Sequence, residues 1–108
     1  MSAEQLKGHL DPLVLAVLAE GPRHGYAVIE RLRERSDSVF DLPEGTVYPA
    51  LHRLERAGLV TSARETVGGR ERRVYRLSRR GRSALTARRD EWVRFSTAVG
   101  AVLGVAPA

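Results

Sequence analysis

Two stretches of the chain carry side chains suited to one chemistry, hydrogen bonding and charge pairing with a polyanion. The first runs from Gly45 to Arg56. With the apolar Val47, Ala50, Leu51 and Leu54 set aside, it leaves Gly45, Thr46, Tyr48, Pro49, His52, Arg53 and Arg56. Thr46, Tyr48, His52 and Arg53 can donate hydrogen bonds to bases or phosphates. Tyr48 and His52 are four apart, which places them on one face of a helix. The second stretch, Arg64 to Arg82, holds eight arginines against Glu65 and Glu71. Its candidate phosphate contacts are Arg64, Arg70, Arg72, Arg73 and Arg76, because a guanidinium grips phosphate at two points and can enter a narrow minor groove. Gly68 and Gly69 allow a tight turn and a close approach of backbone to DNA. The structural alternatives are a solvated helix face and a charged hairpin whose exposed edge is kept soluble.

The whole chain is basic, and unevenly so. Lys+Arg is 18 and Asp+Glu is 13, a net of +5. Lys7 is the one lysine; the rest are arginine. Residues 1–63 hold 7 basic and 9 acidic residues, a net of −2, whereas residues 64–108 hold 11 and 4, a net of +7. This asymmetry points to nucleic acid first and an anionic membrane surface second.

Other chemistries are poorly supplied. With no cysteine there is no disulfide framework, thiolate nucleophile or thiolate metal site. His9, His24 and His52 are scattered, with no HExxH, no GxSxG and no phosphate-binding glycine loop. The reading is therefore neither an enzyme nor a metal sensor, with no cofactor. No apolar run approaches the ~20 residues of a membrane span. The start, Met1 to His9, lacks the apolar core of a signal peptide, so a cytoplasmic protein is expected.

At 108 residues the chain is one domain's worth. Leu10, Leu13, Val14, Val17 and Leu18 form a one-faced helical stripe, with Asp11-Pro12 as acidic cap and first-turn proline, closed by Gly21-Pro22. A second helix spans 24–35 and a third 44–57, the latter ending at Gly58. Pro49 is tolerated there if it lies in the first turn. Strands are expected at Val60–Glu65 and Arg72–Leu77, with residues 66–71 as a basic turn. Ser78 caps a last helix reaching Leu103, and the tail beyond Gly104 is expected to fray.

In that helix Leu85, Arg88, Trp92, Phe95, Val99 and Val102 repeat at 3, 4, 3, 4, 3, the seam spacing of paired helices. The fold class is thus mainly α with a small β-hairpin: a winged helix–turn–helix over residues 1–77, then a long C-terminal dimerisation helix over 78–108, in one continuous unit. In that architecture the second helix of the pair enters the major groove and the wing lies on the backbone or minor groove.

Several runs match a known pattern: Leu13 to Gly21 (LVLAVLAEG), His24-Gly25-Tyr26, Glu44 to Glu55 (EGTVYPALHRLE), Ala57-Gly58-Leu59-Val60, Gly68-Gly69-Arg70 and Arg73 to Gly81 (RVYRLSRRG). Over about residues 5–95 the sequence resembles the PadR family of bacterial transcriptional regulators, in its compact subgroup with a single C-terminal helix. The resemblance implies a homodimeric repressor on a near-palindromic operator in double-stranded DNA, released by an effector. It adds Tyr26 to the DNA-contact candidates. It also implies a planar aromatic effector between the paired C-terminal helices, with Trp92 as stacking platform. Leu13, Val17, Leu85, Phe95 and Val99 are then candidates for the pocket or the dimer interface. The sequence departs from the pattern in its arginine-rich last helix, at Arg88, Arg89 and Arg94.

Two other binding modules are open. A winged helix that binds proteins without specific DNA binding would expose apolar residues on the groove face. An RNA binder would expose aromatic stacking platforms there, and Tyr48 is the one candidate.

Overall fold

The computed structural model describes residue 6 and residues 8–105. The expected fraying of the tail and the reading of the first residues fall largely outside them. Helix α1 spans Leu10–Leu18, strand β1 Arg23–His24, helix α2 Gly25–Arg35 and helix α3 Glu44–Arg56. Strands β2 (Val60–Val67) and β3 (Arg70–Leu77) follow, and helix α4 spans Arg79–Leu103. The three strands form one antiparallel sheet in the order β1-β3-β2.

The core is built mainly from the apolar stripes read from the sequence, with Leu15 of α1 added and Leu13 only half-buried. Leu10, Val14, Leu15, Val17 and Leu18 of α1 meet Val28, Ile29 and Leu32 of α2, and Val47, Ala50, Leu51 and Leu54 of α3. Val60, Tyr75 and Leu85 close it from the sheet and from α4. Burial of each large aliphatic side chain contributes about 1.5–3 kcal/mol. This core fixes where α3 and the wing stand relative to each other.

Several local expectations change. The cap of α1 is His9, without a side-chain hydrogen bond, and Asp11 lies in the first turn and pairs with Arg53 at 2.9 Å. Pro49 is the sixth residue of α3, not part of its first turn. With no N–H to give, it leaves the Gly45 carbonyl without its intrahelical partner. Strand β1 is too short for any periodic signal. It exists because extended Arg23 and His24 pair with Tyr75 and Val74.

The hairpin is longer than expected, since Val67 pairs with Arg70 and leaves a two-residue loop. Gly68 and Gly69 both take positive φ, 59° and 79°. That is the requirement of the tightest primed turn, whose twist matches the strands.

The long helix begins as expected. Ser78 Oγ accepts a hydrogen bond from the Gly81 amide at 3.0 Å and donates to the Gly58 carbonyl at 2.7 Å. The Ser78 amide donates to the Leu59 carbonyl at 3.0 Å. These bonds tie the start of α4 to the turn between α3 and β2. Farther along, α4 outruns its support. At 25 residues it is about 37 Å long at 1.5 Å per residue, and the molecule measures 53 × 28 × 21 Å. Its buried residues are Gly81, Leu85 and Gly100 alone.

The seam therefore divides. Leu85 is 3% exposed and belongs to the protomer's own core, as does Val17 of α1, and Leu13 is half-buried against that core. Neither Val17 nor Leu85 is on the surface to line a pocket or an interface. Trp92, Phe95, Val99 and Val102 stand exposed, Trp92 and Phe95 by more than half. The Trp92 ring meets Phe95 at 5.9 Å and His9 edge-on at 5.6 Å.

Candidate nucleic-acid interface

Helix α3 presents Gly45, Pro49, His52, Arg53 and Arg56 as exposed residues, with Thr46 half-buried. Tyr48 departs from the expected face. Its ring is half-buried over Gly25 at the start of α2, where a Cβ would overlap the ring and approach Cζ to 2.7 Å. Glycine at 25 therefore makes room for Tyr48, and His52 is left on the open face without it. Burial, aided by Glu44, pushes the Tyr48 hydroxyl above its ordinary value and keeps it a donor. Arg53 is engaged by Asp11, an exposed pair worth at most about 1 kcal/mol.

In the wing, cross-strand partners share a face. On the face that carries Tyr75 into the core, Arg64 lies directly opposite Arg73. Two like charges in such a position are destabilising unless an anion joins them. Arg73 Nη1 donates to Ser62 Oγ at 3.0 Å, and Ser62 Oγ donates to Glu55 Oε2 of α3 at 2.6 Å. This chain of hydrogen bonds links the wing to the end of α3. On the other face Arg76 is paired with Glu65 at 2.7 Å, which draws it away from service as a free phosphate contact. Arg70 sits beside the Gly68-Gly69 turn. Among the described residues no carboxylate lies within 4 Å of Arg64, Arg70, Arg72 or Arg73.

Sequence reasoning missed the part played by His24. Its extended backbone ends β1, and its Nδ1 stands at the cap position of α2, 3.3 Å from the Ala27 amide. Its Nε2 lies 2.7 Å from Arg72 Nη1. The available signal was an acceptor-bearing side chain just before a helix, next to a glycine. The contact to a residue 48 positions away had no local signal. A cleft of about 310 Å³ opens beside this contact, lined by His24, Gly25, Tyr26, Tyr48, Arg72, Arg73 and Tyr75.

Burial, then Arg72, push the His24 imidazole below its ordinary value, with Glu30 opposing weakly. The folded protein thus resists a proton that the unfolded chain accepts near pH 6.5. Its contribution to stability is full above that pH and is lost as pH falls toward the lower, folded value. The thermal midpoint of the wild type is expected to drop across that window. His24→Asn, which supplies a capping acceptor that does not titrate, is expected to remove this part of the drop.

These features are a basic two-stranded wing, a helix with an open polar face and a sheet that joins them. The profile of the "Transcriptional regulator PadR-like family" matches residues 14–87. The chain belongs to that family. It is 41% identical over 73 residues to a transcriptional regulator of Mycobacterium tuberculosis, covering 68% of this chain and 65% of that one. Among solved structures, a PadR family transcription regulator of Clostridium difficile is similar at 33% identity and a TM-score of 0.76, covering 88% of this chain and 97% of that one. One from Eggerthella lenta reaches 32% and 0.80, covering 93% and 86%. Family membership makes this PadR-like chain a DNA-binding regulator of transcription. Among the described residues no helix is long and apolar enough to cross a membrane.

Proposed function

We propose that this PadR-like chain is a cytoplasmic, homodimeric repressor without catalytic activity. It binds a near-palindromic operator through α3 and the wing, and a planar aromatic effector releases it. The observation that carries the DNA-binding part is the arrangement of Arg64, Arg70 and Arg73 on the wing, with no carboxylate within 4 Å among the described residues and with Arg73 linked through Ser62 to Glu55 of α3. A protein-docking winged helix would expose large apolar residues on α3, and α3 exposes none. The dimer rests on Trp92, Phe95, Val99 and Val102, which are exposed along a helix longer than its support. Trp92 and Phe95 also supply the flat apolar surface an aromatic effector needs. Residues 1–77 then form the DNA-binding part and 78–108 the dimerising part.

Selection from a pool of randomised duplexes tests this reading. The expected product is a pair of inverted half-sites whose centres lie about 10 base pairs apart or a multiple of that. A folded protein that enriches no sequence would overturn it in favour of a protein-binding module.

A further inference from the structure

We propose that the cleft between the starts of α2 and α3 and the wing seats one backbone phosphate of duplex DNA, and that His24 holds Arg72 in place until that phosphate takes it over. The proposal rests on the DNA-binding reading and adds to it a defined contact and a hand-over.

Several residues that line the cleft carry hydrogen-bond donors. Arg72 brings a guanidinium that lies 2.7 Å from His24, and Arg73, Tyr26 and Tyr48 line the cleft beside it. Helix α2 opens onto it with no acidic residue in its first turn, so the positive end of the helix dipole is uncompensated. The deciding feature is His24. Two N–H groups approach its ring, Ala27 at Nδ1 and Arg72 at Nε2. A neutral imidazole has one lone pair, and a protonated one has none. His24 can therefore satisfy one of the two donors and not both.

The shorter distance, 2.7 Å against 3.3 Å, gives the lone pair to Arg72 and leaves the proton on Nδ1. A phosphate removes the conflict. It accepts from Arg72, the imidazole proton moves to Nε2 and donates to the same phosphate, and Nδ1 accepts from Ala27. Every group then has a partner.

The test is ¹⁵N NMR of the histidine rings in the wild-type protein, with and without a saturating duplex of arbitrary sequence at low salt. The expected result is a swap of the protonated nitrogen of His24 from Nδ1 to Nε2. An unchanged ring pattern at saturation overturns the proposal. So does a swap brought about by inorganic phosphate alone at millimolar concentration, which would assign the cleft to a small free anion.

A second arm follows the salt dependence of duplex affinity. Arg72→Gln is expected to make the logarithmic slope shallower by about 0.9, the value of one phosphate contact, while Arg89→Gln on α4 leaves it unchanged. A merely structural Arg72 would lower the melting temperature and keep the wild-type slope, which overturns the proposal. A shallower slope for Arg70→Gln beside an unchanged one for Arg72→Gln would remove the cleft and keep the DNA reading. A wild type that binds no duplex at low salt would remove both.

Discussion

Gly81→Ala is expected to lower the stability of the protein by about 3 kcal/mol or more, the upper range for forcing atoms into a packed site. The sign is what makes the result informative. In an exposed helix, glycine to alanine normally stabilises by about 1 kcal/mol. Gly81 is buried in the first turn of α4. A Cβ there would overlap the Leu59 carbonyl oxygen and lie 2.7 Å from Leu77 Cδ1. The carbonyl is backbone and is already held by the Ser78 amide, so it cannot turn aside. Relief would move α4 off the junction of α3 and β2, and with it the angle between helix and wing. Urea denaturation at fixed protein concentration measures the effect, with Ser83→Ala on the exposed side of the same helix as control. Stability equal to or above wild type for Gly81→Ala would refute this close packing.

Phe95→Glu is expected to separate the proposed dimer into folded monomers, raising the dissociation constant about thirtyfold or more. Loss of a central aromatic anchor costs about 2 kcal/mol or more, and 1.4 kcal/mol is a factor of ten. The carboxylate adds the cost of burying a charge in an apolar seam. Phe95 is more than half exposed within the protomer, so the monomer's own stability is expected to stay within about 0.5 kcal/mol. Separation would also cost operator affinity, since two linked α3 helices gain about 10²–10⁴ in avidity over one. Sedimentation velocity across a concentration series reads both species. A variant that sediments as the wild type does, with wild-type helix content, would contradict the proposed seam.

The sequence was legible where physics is local. The stripes of α1, α2 and α3 recur every 3.6 residues, and Ser78 and the Gly-Gly turn carry their own backbone requirements, so the elements were placed nearly to the residue. Apart from the α1 cap, the place of Pro49 and the length of the hairpin, the failures are long-range. Strand β1 exists through pairing with a strand some fifty residues away. Tyr48 has the spacing of an outward residue, but the missing Cβ of Gly25 draws its ring inward.

The heptad showed the same limit. It set Leu85 in line with Trp92 and Phe95, yet the first part of α4 packs on the protomer's core and the rest does not. Periodicity shows which face is apolar and cannot say where cover ends. The wing arginines were legible as a group. Their division into paired Arg76, parked Arg72 and opposed Arg64 and Arg73 depends on strand register, which composition does not carry.

The most direct test of the central claim is sedimentation velocity of a fluorescent duplex taken from DNA upstream of the protein's own reading frame, with excess protein, at two salt concentrations. The expected result is one protein dimer moving with each duplex at low salt, and an affinity about a thousandfold weaker between roughly 50 and 200 mM salt. A duplex that sediments as free DNA at the lower salt, beside folded protein, would contradict the assignment of α3 and the wing to DNA.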